Sequence, residues 1–147
     1  MKKLLVGWLA LGALVLVHAE EPAWQTDLPK AVAQARTEKK LVLLEFTGSD
    51  WCPPCKALRK NVLNSSDFAA YARTNLVLVE IDFPKHKQQS DAEKQANETL
   101  AKKFAVEGFP TVILLDVDGR QRLKQVGYDD SSAKDFVARL AAAVKKK

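Results

Sequence analysis

Two stretches of this 147-residue chain are too apolar to lie anywhere but inside: residues 41–46 and 76–83, whose only acids are Glu45, Glu80 and Asp82. A strand covered on both faces reads as a continuous apolar run, because neither face meets water. A chain with two such strands needs helices on either side of one sheet. The intervening segment reads as helix, so the two strands are joined by a right-handed crossover and run parallel.

The remaining elements follow from local chemistry. Asp27 caps a helix with Pro29 in its first turn and Leu28, Ala31, Val32 and Ala35 at helical spacing. The turn Thr47-Gly48-Ser49-Asp50 delivers Trp51-Cys52-Pro53-Pro54-Cys55 to the start of a helix that runs through Lys56, Leu58, Val62 and Leu63. Ser66 or Asp67 then caps a short helix holding Phe68 and Tyr71. After a polar loop at 84–90, Ala92, Ala96, Leu100 and Phe104 recur every fourth residue and predict one buried helical stripe. Residues 111–117 form a strand, Asp118-Gly119 a hairpin turn, and 121–126 its partner. Ser132, with Asp135 three residues on, caps a final helix that buries Phe136, Val137, Leu140 and Val144. The expected order is helix, strand, helix, strand, helix, strand, strand, helix. That is the α/β class, with a central mixed β-sheet flanked by helices on both faces.

The first 19 residues stand apart. Lys2 and Lys3 precede an apolar run at 4–17, and Val17-His18-Ala19 presents small residues three and one before a cut, followed by Glu20 and Glu21. This is the layout of a secretory signal peptide cleaved after Ala19, and the run is short for a membrane span of roughly 20 residues. A single domain at 20–147 is expected to remain, exported to the periplasm. Losing Lys2 and Lys3 lowers the formal charge from +5 to +3. Such an excess sets solubility rather than a partner, and without a basic stripe interleaved with aromatics it does not suggest nucleic acid. Two cysteines make neither a disulfide-dense scaffold nor a four-thiolate metal site.

Both cysteines fall in one Cys-x-x-Cys, Cys52 and Cys55, directly after a buried strand. A thiol at a helix N-terminus faces unpaired N–H groups that stabilise its thiolate, and a second thiol one turn on can attack a mixed disulfide formed on the first. Those are the two parts thiol–disulfide exchange needs. Pro53 and Pro54 stiffen the loop, and Pro54 fits a first helical turn where its missing N–H costs little. A structural disulfide and half of a metal site are the competing readings. The first closes too short a loop to stabilise much, and the second lacks further ligands.

Trp51-Cys52-Pro53-Pro54-Cys55-Lys56 after an apolar strand, with Gly108-Phe109-Pro110-Thr111 some 55 residues later, resembles the thioredoxin superfamily. The lead-in Thr47-Gly48-Ser49-Asp50-Trp51-Cys52 is similar to secreted bacterial thioredoxin-like proteins and to the C-terminal domain of the DsbD reductase. The resemblance covers all of 20–147 and implies a thioredoxin fold. It makes Cys52 the nucleophile and Cys55 the resolving thiol, paired as a disulfide when oxidised. It makes Pro110 a cis-proline opposite them, with the Phe109 backbone open to substrate, and Trp51 a lid over the sulfurs. The family often carries a buried Asp on the strand before the motif. The resemblance gives that acid the task of shuttling the resolving thiol's proton; here Glu45 stands nearest, one residue further from the cysteines, and is the candidate for it, an edge-facing or Lys-paired carboxylate being the other reading.

The function implied is thiol–disulfide oxidoreduction, reducing or isomerising disulfides of exported proteins, with protein thiols and disulfides as substrates. No organic cofactor or metal is implied, and a membrane thiol–disulfide donor would recharge the site. A non-catalytic binding module on the same scaffold and a copper-handling protein are the alternatives.

Overall fold

A computed structural model of the chain describes residues 22–145. The expected leader at 1–19, and Lys146 and Lys147, lie outside the described residues. The elements are β1 (Trp24–Gln25), α1 (Leu28–Glu38), β2 (Leu41–Thr47), α2 (Pro53–Leu58), α3 (Ser66–Asn75), β3 (Leu76–Asp82), α4 (Asp91–Lys103), β4 (Thr111–Leu115), β5 (Gln121–Val126) and α5 (Ala133–Lys145). A π-helical turn, Arg59–Leu63, continues α2.

The strands form one sheet in the order β1-β3-β2-β4-β5. β2 pairs parallel with β3, from Leu41 opposite Leu76 to Thr47 opposite Asp82, and antiparallel with β4, from Val42 opposite Leu115 to Phe46 opposite Thr111. β4 and β5 form the hairpin expected at Asp118-Gly119. The sheet is therefore mixed, and β2 lies at its centre.

Strand alternation sorts the core into two layers. Leu43, Leu78, Val112 and Leu114 face Leu58, Val62, Phe68, Phe136 and Leu140 from α2, the π turn, α3 and α5. Val42, Leu44, Phe46, Val79, Ile81 and Ile113 face Leu28, Ala31 and Ala35 of α1, with Leu100 and Phe104 packed alongside. Helices cover both faces, as the two apolar runs required.

Local signals set most of the helix starts. Asp27 accepts the Lys30 N–H at 3.0 Å, and Ser132 and Asp135 close a reciprocal cap, with Asp135 N–H on Ser132 Oγ at 3.1 Å. The cap of α3 is Ser65 rather than Ser66 or Asp67. One element escaped the sequence pattern: β1 is two residues long and pairs only with β3. The connection between β2 and β3 holds α2 and, as expected, the further short helix α3.

The predicted stripe on α4 is corrected. Ala92 and Ala96 are exposed, and the buried residue is Asn97, whose Nδ2 donates to the Asp82 carbonyl at 2.9 Å. That carbonyl, at the end of β3, also accepts from Gln89 Nε2 at 3.1 Å, and α4 turns a polar residue inward to it where apolar spacing pointed to alanines.

Leu43 is fully buried at the centre of one layer, whereas Val117 is exposed in the loop after β4. Leu43→Ala should cost about 3 kcal/mol in chemical denaturation, and Val117→Ala should stay within about 0.5 kcal/mol.

Candidate active site

β2 ends at Thr47, and the chain turns sharply at Gly48. A Cβ there would meet the Trp51 ring at 2.5 Å, so the indole can fold back over the turn only because position 48 carries no side chain. Cys52 follows as the N-cap of α2, with Pro53 and Pro54 opening the helix. Cys52 and Cys55 form a disulfide, their Cα atoms 5.3 Å apart, and the Cys55 N–H donates to Cys52 Sγ at 3.3 Å. Both residues are buried, Cys52 at 3% exposure and Cys55 at 1%, so accessible area hardly distinguishes them.

Their surroundings do distinguish them. Cys52 lines a groove of about 460 Å³ with Trp51, Pro53, Pro54, Val106, Glu107, Gly108 and Phe109. Cys55 lines a separate crevice of about 180 Å³ with Thr47, Ser49, Lys56, Arg59, Lys60 and Asn64. One cysteine therefore borders a groove able to hold an extended segment, and the other a separate crevice lined by polar residues.

The Phe109–Pro110 peptide is cis, and Pro110 is buried beside the groove. Phe109 packs edge-on against Trp51, centroids 6.1 Å apart, and stacks on Phe83 at 5.0 Å. Trp51 is half-buried, with Nε1 donating to the Phe83 carbonyl at 2.8 Å. The residues singled out in sequence, Trp51, Cys52, Pro53, Pro54, Cys55, Phe109 and Pro110, thus meet at one end of the sheet.

Glu45 is neither edge-facing nor Lys-paired. It sits on the central strand with no exposed surface, on the layer that faces α2 and opposite Glu80 in register. Its Oε2 accepts from Arg59, which lies one turn beyond Cys55 and also bridges Glu80 at 3.2 Å. The Arg59 guanidinium stacks 4.2 Å over the Trp24 ring. Glu45 Oε1 is buried with no hydrogen-bond partner among the described residues. Burial pushes the Glu45 carboxyl up from 4.5 to about 7, with Glu80 and Asp82 adding to the rise and Arg59 opposing it.

The model of the thioredoxin-like domain matches residues 28–143. The chain belongs to the thioredoxin-like family. A disulfide bond reductase, DsbH of Chlamydia pneumoniae, is 33% identical over 129 residues, covering 88% of this chain and 76% of that protein. The thiol:disulfide interchange protein DsbD of Colwellia psychrerythraea is 25% identical over 119 residues, 81% of this chain but 18% of that protein. A solved DsbH oxidoreductase superposes with a TM-score of 0.80 at 28% identity, over 96% of both chains. The fold is the thioredoxin fold, and the Cys52–Cys55 pair makes the protein a thiol–disulfide oxidoreductase.

Against the family pattern, three supporting groups were not legible in sequence. Arg59 gave no signal as the partner of Glu45, because only the register of α2 on β2 brings them together. Asp50 read as a turn residue, yet its carboxylate reaches 35 residues along the chain to the loop after β3, where it accepts the Lys85 N–H at 3.0 Å. Phe83 read as the end of a strand, yet its ring and its carbonyl hold Phe109 and Trp51.

The raised pKa of Glu45 has a stability consequence. Between about pH 4.5 and 7 the unfolded chain has released this proton while the folded protein retains it, so stability falls as pH rises across that window and then levels. Glu45→Gln should remove this slope. Denaturation of the oxidised proteins from pH 4.5 to 8 should show the variant gaining on wild type by about 3 kcal/mol, and parallel pH profiles would contradict the raised value.

Proposed function

We propose that this thioredoxin-like protein works as a reductase of exported protein disulfides, with Cys52 attacking and Cys55 resolving. The division of the sulfurs between groove and crevice carries the assignment of roles: substrate can approach Cys52 along Trp51 and Phe109, while Cys55 faces Arg59 and the polar cleft. The reductive direction is supported by the similarity to DsbH, whose name describes a disulfide bond reductase.

In the reduced protein, the Cys52 thiol as N-cap of α2 is favoured as the thiolate by the Cys55 N–H and the helix start. It attacks one sulfur of a substrate disulfide, forming a mixed disulfide and releasing the other substrate sulfur as a thiolate. Cys55 then gives up its proton and attacks Cys52 Sγ. The Cys52–Cys55 bond forms, the second substrate sulfur leaves, and two electrons have passed to the substrate. Glu45, buried under this face with a pKa of about 7, acts as the acceptor of the Cys55 proton. Phe109 offers its backbone to the extended substrate, and Trp51, Pro53, Pro54 and Pro110 shape the groove that holds it. A thiol–disulfide donor in the membrane returns the electrons.

In this reading the leader at 1–19 is cut after Ala19 and the domain at 20–147 works in the periplasm, a proposal supported by the basic start and apolar run at 4–17. No helix among the described residues is long and apolar enough to cross a membrane.

Two measurements test this reading. Cys55→Ser, expressed with its leader, should accumulate mixed disulfides visible on non-reducing gels, and Cys52→Ser should accumulate almost none; equal trapping by the two would overturn the roles. Equilibration of wild type with glutathione buffers should give a potential below roughly −200 mV, and a value above about −150 mV would make the protein an oxidant.

A further inference from the structure

Residues 83–87, between β3 and α4, are fastened to the redox site by contacts that sulfur exchange does not itself require. Asp50 accepts three successive backbone N–H groups, from Lys85 at 3.0 Å, His86 at 2.8 Å and Lys87 at 2.9 Å. These bonds, with that from Lys85 the largest contribution, hold its carboxyl down to about 2. The anchor consumes the hydrogen-bonding capacity of the acid on backbone donors and leaves the Lys85, His86 and Lys87 side chains exposed.

Two lysines of this loop each contact a residue that lines one of the two openings. Lys85 Nζ sits 3.9 Å over the Trp51 ring, which lines the Cys52 groove. Lys87 Nζ donates to Ser49 Oγ at 3.1 Å, on the rim of the Cys55 crevice. Lys56 Nζ donates to the Asp50 carbonyl at 2.9 Å, and Lys60 lines the same crevice. Their contacts are to a ring, a hydroxyl and a carbonyl. Among the described residues none of the four ammonium groups pairs with a carboxylate.

The nearby acids are already engaged. Asp82 takes the Ser49 N–H at 2.9 Å and its hydroxyl at 2.5 Å, and Glu45 and Glu80 share Arg59. Glu107 is the one carboxylate among the groove's lining residues.

We propose that Lys85 and Lys87, presented by the Asp50-anchored loop and reinforced by Lys56 and Lys60, select substrate segments that carry carboxylates beside the disulfide cysteine. The inference rests on the reductase reading above and adds the substrate class to it. Single exposed ion pairs are weak, but like charges gathered at the mouth of a cleft steer an oppositely charged segment toward it and raise the encounter rate. The apolar walls of the groove, Trp51, Val106 and Phe109, suit a polypeptide in extended form rather than a flat lipid surface.

The test uses the reduced protein and three peptides of equal length with the same intramolecular disulfide, flanked by Glu, Gln or Lys. At about 20 mM salt the Glu peptide should be reduced about tenfold faster than the Lys peptide, with the ratio falling below about twofold at 0.5 M, roughly where the Debye length shrinks to the size of an ion pair. Lys85→Gln with Lys87→Gln should shrink the preference, and Lys85→Glu with Lys87→Glu should reverse it. Lys134→Glu on α5, exposed and without the contacts to Trp51 or Ser49 that Lys85 and Lys87 make, should leave it intact. Equal rates for the Glu and Lys peptides at low salt would overturn the inference while normal turnover of the Gln peptide leaves the reductase reading standing. A protein that reduces none of the three overturns both. Binding to vesicles containing phosphatidylserine without any peptide preference would assign these charges to a membrane surface and likewise overturn it.

Discussion

The burial of β2 on both faces and both edges governs how this molecule is built. Its backbone is bonded to β3 on one side and β4 on the other, and its side chains from Val42 to Thr47 are all buried. A strand so enclosed opens to substrate only at its end. The directions of its neighbours decide what meets it there. β3 runs parallel and finishes at Asp82 opposite Thr47, so Phe83 and the basic loop emerge beside the dithiol. β4 runs antiparallel and begins at Thr111 opposite Phe46, so Phe109 and Pro110 arrive at the same end from the other side. Three segments distant in sequence converge because one strand is parallel to β2 and the other antiparallel.

The same enclosure gives Glu45 its character. A carboxylate taken from water loses its solvation, and only a well-placed partner restores part of it. Arg59 is that partner, but it is divided between Glu45 and Glu80, and Glu45 Oε1 remains without one among the described residues. The acid is therefore poised near neutral pH rather than held as a permanent anion. Asp50, at the surface, has the opposite fate: three backbone donors hold it ionised, and it serves as an anchor. Two acids five residues apart thus take different duties from their surroundings alone.

Much was legible in the sequence because its causes are local. The continuous apolar runs announce buried strands, since a strand that meets no water needs no polar face. Asp27 and Ser132 mark helix starts, since a side-chain oxygen two or three residues ahead satisfies a free N–H. The Cys52–Cys55 spacing already contains a thiol at a helix start and another one turn away. These features, with the hairpin at Asp118-Gly119, determined the fold class and the chemistry of the site.

What the sequence left open depends on distance in the chain. The stripe of Ala92 and Ala96 looked like a buried face, but Asn97 turns inward and bonds the Asp82 carbonyl, a partner 15 residues away. The partner of Glu45 followed from the register of α2 against β2, and that of Asp50 from where β3 happens to end. The sequence alone supplied the dithiol and the strands that carry it, because those depend on neighbours one helical turn or one strand residue away. Tertiary structure alone decided which cysteine borders the groove, which acid has its pKa raised and which lysines lie near the site, because such properties arise only where separate segments meet.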